Sequence, residues 1–420
     1  MKVNSKTRPF QAIWCLQEAA KQQKQKFPEA AVIILTMTYM DDIVIVAESV
    51  EMTVNLFKEA LHILEVGGFY GHKISASYPK ILESLGQDRT DPARVIKILG
   101  LILDHDSGNF RFNVDEIFSH FKETPKKVTR HLLVSLAARV FDTQGYVSPY
   151  VMQFKKLLPM LWHNNTAWKE DLETRMTVDE LGRKVPCPVA QEAVSKFKEW
   201  VADIPRLKEL QFPRFIGGPI RHVAIFGDAS QTGIGVVAYA ITQQENGVVN
   251  SRIIYSKSSL MPKNLREKAK LEDALTIARA ELIAMVCCVT MMDYLREAYN
   301  PHLTSDKVFI FTDSLLNLQR IQRGKGKCKP FEERRVCKVL DGKGEATVRF
   351  CPGVENPSDL PSRGCNLAEL QERMDFWKEG PDFLKLPVEK WPKPPQVSEK
   401  IKDEASVPEE PVLYEEEVAL

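Results

Sequence analysis

Four carboxylates stand where an α/β layer pattern would expose them. Asp228 closes the apolar run 222-HVAIFGDAS-230, and Glu281 interrupts the otherwise apolar helical run 277-IARAELIAMVCCVTMMDYLREA-298. Asp313 closes 307-KVFIFTD-313, and Asp359 lies in 352-PGVENPSDLPSRG-364, the loop after the strand 346-ATVRFC-351. If the first and fourth strands of this unit are neighbours in a mixed sheet, a crossover helix brings Asp228 and Asp313 to one sheet end, and Glu281 can point at the same place. Gathered carboxylates repel and are costly to desolvate; hard divalent cations, Mg²⁺ or Mn²⁺, offset that cost. Two such ions ~4 Å apart can activate a water and stabilise the leaving oxygen in phosphodiester cleavage. Singly, each acid has a blander role: a strand-end aspartate caps a turn, Asp313-Ser314 suits a helix N-cap, and a helical glutamate is solvated. The four together, in this element order, favour the metal site.

A second pair of acids, Asp41 and Asp42, interrupts 36-TMTYMDDIVIV-46. The aliphatic stretches 31–37 and 43–47 favour two strands joined as a hairpin with its charges at the tip. Such a tip either is an acidic turn or holds cations, and composition alone leaves both readings open.

The elements needed to position these acids can be read along the chain. A helix over 8–26, the hairpin, a helix over 54–66 ended by Gly67-Gly68 and a strand-rich piece, 95-VIKILGLILDHDSGNFRF-112, make an α+β unit. Helical patterns follow at 129-TRHLLVSLAARVF-141, with Thr129 as N-cap, at 150-YVMQFKKLLPMLW-162 and at 188-PVAQEAVSKFKEWVADI-204. The segment 212-FPRFIGGPI-220 opens a unit of three strands, helix, strand, helix and strand, an α/β pattern with a mixed sheet.

At 420 residues the chain fits two or three domains, and 44% apolar with 27% charged residues describes a globular protein. A formal charge of +1 excludes a global field for nucleic acid, so basic footprints must be local, as in 122-KETPKKVTR-130 and 320-RIQRGKGKCK-329. Eight scattered cysteines form no zinc-finger spacing and read as reduced thiols. No apolar run has signal-peptide or membrane-spanning length, which points to a chain that is neither secreted nor membrane-bound. The end from Glu399 to Leu420 is acidic and contains proline.

The ordered phrases 9-PFQAIWCLQEAA-20, YMDD, 67-GGFYGHKISAS-77, ILGLILD, 130-RHLLVSLAARVFDTQGYVSP-149, GDAS, RAEL, FTDS and ENPSDLPSRG resemble polyproteins of the BEL/Pao group of long-terminal-repeat retrotransposons. The resemblance implies a partial reverse-transcriptase palm at 1–120, a helical thumb or connection at 121–211, a ribonuclease H-like domain at 212–365 and an irregular tail at 366–420. It also implies a set of roles. Asp228, Glu281, Asp313 and Asp359 would hold two Mg²⁺ ions, with Mn²⁺ as substitute, for hydrolysis of RNA in RNA–DNA hybrids. Asp41 and Asp42 would hold the polymerase ions, with Tyr39 and Met40 at the template–primer and Lys73 either near the incoming nucleotide or a solvated surface lysine. Arg323, Lys325, Lys327 and Arg335 could follow a nucleic-acid backbone, or form a solvated face; Arg363 could reach the scissile phosphate, or pair with an acid.

Two departures bear on activity. The small residue usual before Pro9 is Arg8, and no aspartate precedes Tyr39, although the family takes a third metal ligand from a strand upstream. Fingers and first palm strand are therefore expected to be missing, leaving a polyprotein fragment whose polymerase is incomplete and which depends on protease, fingers/palm and integrase parts supplied elsewhere. The expected setting is a cytoplasmic retroelement particle or the nucleus. The competing expectation is a catalytically inactive nucleic-acid-binding relic or co-opted retroelement protein.

Overall fold

The computed structural model describes residues 8–40, 42–86, 89–119, 127–163, 166–262, 277–299 and 302–394. Asp41, the basic residues 122–126 and the acidic end therefore lie outside the described residues. The chain divides into two compact units, Met1–Asn113 and Val114–Leu420.

In the first unit, Leu16, Ala19 and Ala20 of the helix Arg8–Gln23 pack with Ala30, Ala31 and Ile34 and with Leu56, Ala60, Ile63 and Leu64 of the helix Val50–Val66. Residues 31–37, expected as a strand, instead form the helix Pro28–Thr36. Pro28 presets the first helical φ, and Ala30, Ala31 and Ile34 share one buried face; a short aliphatic run does not by itself separate helix from strand. The hairpin survives in reduced form: β1 (Thr38–Tyr39) pairs with β2 (Asp42–Ile43), with Thr38 opposite Ile43 and Tyr39 opposite Asp42. Met40 takes a left-handed φ of 52°, a backbone position such tight turns require. Strands β3 (Val95–Ile98), β4 (Leu101–Asp104) and β5 (Asn109–Phe112) form an antiparallel meander, with Asp104 opposite Asn109 across the expected DSGN turn.

The second unit carries the short strands β6 (Met176–Val178), β7 (Lys184–Pro186) and β8 (Gln211–Pro213), then a five-stranded mixed sheet. Its strands are β9 (Ile220–Ala229), β10 (Gly233–Gln243), β11 (Val249–Leu260), β12 (Val308–Thr312) and β13 (Thr347–Phe350), in the order β11-β10-β9-β12-β13. The first three run antiparallel, and β12 lies parallel between β9 and β13. Alternation along β12 shows why the sheet is buried on both sides. Val308 and Ile310 join the core under the long helix Ile277–Ala298, while Phe309 and Phe311 face an aromatic layer containing Phe226, Phe383 and Trp391.

The helices expected as a separate connection at 121–211 belong to the same compact unit as this sheet. The loop of the DTQGYVSP phrase docks on edge strand β11, where Ser256 N–H donates to Gln144 O at 2.9 Å. Asp142 fixes that loop by accepting from the N–H groups of Tyr146 (2.9 Å) and Val147 (2.7 Å). The helix Ser148–His163 then packs against both β11 and the short helix Asp359–Arg363.

The stretch after 365 also differs from the expected irregular tail. Helices Leu367–Glu372 and Met374–Glu379 and the turn Asp382–Lys385 are ordered, because Trp377, Leu384 and Trp391 are buried anchors. The Trp377 indole donates to Tyr146 O at 2.7 Å, and the Tyr239 hydroxyl donates to Trp377 O at 3.0 Å.

Candidate active site

The parallel pairing of β9 and β12 delivers two of the acids. Phe226 is opposite Phe311, so Asp228 and Asp313 each stand two residues beyond the same register pair. The helix Ile277–Ala298 delivers the third. Its Ala284 carbonyl and Cys288 thiol lie against Gly227, where a Cβ would come within 2.5 Å of the Cys288 sulfur. Glu281 precedes Ala284 by three residues and so shares that face, toward the neighbouring Asp228. The carboxylates of Asp228, Glu281 and Asp313 consequently approach within 4.8 Å of one another. Among the described residues no other group of three potential metal ligands lies so close.

Each of these acids is held in an environment that penalises its charge. Burial, with Asp313 and Asp228 nearby, raises Glu281 to about 7, although a hydrogen bond from Ser314 opposes the shift. Burial and the Asp228 charge raise Asp313 to about 6, against hydrogen bonding from Asn356. Asp228 is raised too, by burial first, while a hydrogen bond from Ser362 pulls the other way. Asp313 Oδ1 is buried and has no hydrogen-bond partner. Three carboxylates gathered within 4.8 Å, one of them with a buried oxygen that no hydrogen bond satisfies, are a donor set that fits a hard divalent cation.

Asp313 does not cap the following helix: Ser314 does, its Oγ accepting from Asn317 N–H at 3.4 Å, which leaves the aspartate for the site. Asp359 starts the helix Asp359–Arg363 and is ion-paired to Arg363 at the rim, so three of the four expected acids form the close group. Its charge still acts on Asp228 and Asp313.

Several positioning side chains carry only a faint signal in the sequence, being short polar residues close to an acid. Ser362 Oγ donates to Asp228 Oδ2, and Ser230 Oγ donates to Ser362 O at 2.9 Å. Asn356 donates to Gly227 O at 3.4 Å and accepts from Ser358, tying the segment that leads into the helix Asp359–Arg363 to β9.

The expected backbone-tracking residues have mixed fates. Lys327 is exposed, while Lys325 is ion-paired with Asp341. Arg323 ends the helix Leu315–Arg323. Arg335 is half-buried, 3.5 Å from the Phe331 ring centre, and donates to Phe331 O, with burial lowering it to about 10. In the first unit Tyr39, Met40 and Asp42 are exposed at the hairpin, and Lys73 is exposed at a left-handed φ of 56°.

A mixed sheet with an acidic group across its parallel strand ends defines a ribonuclease H-like fold. Residues 129–314 match the family model described as Pao retrotransposon-like RNaseH-like domain, a span that includes Asp228, Glu281 and Asp313 and stops short of Asp359. The chain thus contains a Pao-type retroelement RNase H region. A comparison with curated proteins yields no match.

Among solved structures, the foamy viral protease-reverse transcriptase in complex with dsDNA is similar at 14% identity and a TM-score of 0.43, over 78% of this chain and 57% of that one. A second foamy viral protease-reverse transcriptase complex with ds DNA is similar at 13% identity and a TM-score of 0.42, over 77% and 48%. The present chain thus spans about half the length of those viral chains. The N-terminal RNase H domain of a Mycobacterium tuberculosis protein matches at 12% identity and a TM-score of 0.24, over 36% of this chain and 97% of that domain. Among the described residues no helix is long and apolar enough to cross a membrane.

Proposed function

We propose that the second unit hydrolyses the RNA strand of RNA–DNA hybrids with Mg²⁺, or Mn²⁺ in its place. The observation that carries this reading is the group of Asp228, Glu281 and Asp313 within 4.8 Å, one of whose oxygens is buried without a partner. When bound, divalent cations supply the positive charge that offsets these acids and the Lewis acidity that phosphodiester hydrolysis requires. Asp228, Glu281 and Asp313 hold the site. Ser362 and Ser314 orient two of them, and Asp359 adds negative charge at the rim. Water adds to phosphorus, the P–O3′ bond breaks, and the products are a 3′-hydroxyl and a 5′-phosphate.

On this reading Arg363, more than half exposed beside Asp359, would meet a strand phosphate, and Arg323, Lys325, Lys327 and Arg335 would add basic charge along the nucleic-acid backbone. Recognition of a hybrid rests on 2′-hydroxyls and helix shape rather than base sequence.

The first unit is read as a reverse-transcriptase palm remnant, with Tyr39, Met40, Asp41 and Asp42 as its template–primer hairpin and Lys73 as a nucleotide contact. On this reading the third metal-binding carboxylate of a polymerase would come from a complementing polyprotein part. The remaining polyprotein partners and a particle-borne or nuclear setting belong to the same reading.

A labelled RNA–DNA hybrid incubated with Mg²⁺ and the wild type, Asp228→Asn or Glu281→Gln tests the nuclease. Cleavage by the wild type alone is expected. A wild type no faster than the variants would leave the inactive nucleic-acid-binding relic as the better description. Primer extension with and without an added upstream palm fragment tests the polymerase reading, and robust synthesis by this chain alone would refute it.

A further inference from the structure

The helix Asp359–Arg363 carries Asp359, Ser362 and Arg363, yet it is only 5 residues long and is held by its surroundings. Two of its C-terminal carbonyls, which have no partner within the helix, are satisfied from outside. The Ser362 carbonyl accepts from Ser230 Oγ at 2.9 Å, and the Arg363 carbonyl accepts from the ammonium of Lys156. Lys156 lies outside the five-stranded sheet: it sits on the helix Ser148–His163, in the helical arm that precedes the sheet within the same unit. The same two segments are tied again where Cys365 N–H donates to Pro149 O at 3.2 Å.

Lys156 forms no ion pair with a carboxylate among the described residues; it is partly buried beside Arg363 and Lys196, and burial with those like charges lowers it. A lysine kept there against like charge has the helix-end carbonyl as its compensating contact. That places a cation where the end of a helix favours one.

We propose that Lys156 is a positioning residue for the RNase H site: by holding the Arg363 carbonyl, the preceding arm sets the helix from which Ser362 grips Asp228 and Asp359 adds its charge at the rim. This rests on the nuclease reading above and assigns the arm a part in it. The motion at stake is small. A shift of about 1 Å in a supporting element is enough to cost ten- to hundredfold in rate.

The test uses the full chain with Lys156→Met, Lys156→Gln and Lys156→Arg, each checked by circular dichroism. Turnover on the hybrid and Mn²⁺ binding by electron paramagnetic resonance are measured. For Lys156→Met and Lys156→Gln the expected result is a kcat lower by about tenfold, KM for hybrid within about twofold of wild type, and Mn²⁺ binding several-fold weaker. Lys156→Arg, which keeps a charged donor, should recover most of both. Wild-type kcat and Mn²⁺ affinity in Lys156→Met and Lys156→Gln overturn the proposal. So does a loss confined to KM, which would make Lys156 a nucleic-acid contact instead. If the wild type itself cleaves no hybrid, the nuclease reading falls, and unchanged or weakened Mn²⁺ binding in the same variants still decides the role of Lys156.

Discussion

Asp228 and Asp313 leave adjacent parallel strands at the same step, two residues past the Phe226–Phe311 pair, whose rings stack at 4.7 Å beneath them. Strand register therefore brings the two carboxylates to the same end of the sheet, Asp228 from within β9 and Asp313 from the bend one residue past β12.

Asp313 is the sharpest probe of the site because its Oδ1 is buried without a partner. Asp313→Asn is expected to lower hybrid cleavage by about a thousandfold, the scale set by several kcal/mol of cation-assisted stabilisation. The same change should raise the melting temperature of the metal-free protein, since one of three repelling charges is removed. Cleavage within tenfold of wild type would take Asp313 out of the reaction.

The acid group also makes a signed prediction for pH. Glu281 at about 7 and Asp313 at about 6 lie above the ordinary values of 4.5 and 3.8, so the folded chain holds these protons more tightly than the unfolded chain does. Their contribution to stability is full below the ordinary values and is lost as pH rises through about 6 and 7. With chelator present, thermal melts should fall between pH 4.5 and pH 7 and level off above. Added Mg²⁺ should cancel the fall, because it favours the ionised acids. In Glu281→Gln/Asp313→Asn the chelated fall should shrink, and a fall of wild-type size there would place its origin elsewhere.

Ser362 is buried and its hydroxyl donates to Asp228 Oδ2. Ser362→Ala removes that donor and leaves a buried carboxylate oxygen short of a partner, a change that costs about 1–3 kcal/mol in stability. The Asp228 carboxyl should rise further, so Mn²⁺ binding should weaken more at the lower of two pH values than at the higher. Denaturant titration and Mn²⁺ binding measured side by side check both halves, and equal loss at the two pH values would argue against a role through Asp228.

Much of this site was legible in the sequence for a physical reason: acids that end apolar runs have few places to go in a layered fold. Asp228, Glu281 and Asp313 followed from strand ends and one polar interruption in a buried helix. Asp359 was harder, since a loop residue can turn either way, and it pairs with Arg363 at the rim. The strand expected at 31–37 is a helix because aliphatic residues serve a buried helix as well as a strand, and Pro28 tips the balance. From sequence the arm reads as a connection before the sheet and the stretch after 365 as an irregular tail, because their attachment runs through single groups. Trp377 reaches Tyr146 O, and Lys156 reaches Arg363 O, contacts that leave no periodicity to read.

Gly145 tests whether the arm and the sheet are one folding unit. Its φ of +74° is left-handed, and a Cβ there would stand 1.7 Å from the Ser256 carbonyl oxygen of β11. Gly145→Ala therefore combines backbone strain with a clash against main chain, and should cost more than about 3 kcal/mol. Urea titration followed by fluorescence should show the sheet itself losing stability. A separate early transition of the arm, with the sheet unchanged, would show that the docking is dispensable.

Trp391 makes the corresponding case for the stretch after 365. It is 2% exposed, 4.8 Å from the Phe309 ring and 5.7 Å from the Phe311 ring, with its indole N–H donating to Leu386 O at 2.9 Å. Phe309 and Phe311 belong to β12, the strand that presents Asp313, so this tryptophan covers the back of the strand whose end forms the site. Truncating a buried tryptophan costs about 3–5 kcal/mol, and Trp391→Ala is expected to fall in that range by denaturant titration. Trp391→Phe keeps most of the apolar volume and loses only the indole hydrogen bond, so it should recover more than half of the loss. The effect should reach the chemistry as well. With the aromatic layer opened behind Phe311, Asp313 loses its fixed position, and cleavage by Trp391→Ala should drop even at temperatures where the chain stays folded. Wild-type stability in Trp391→Ala would return residues 366–391 to the irregular tail expected from the sequence.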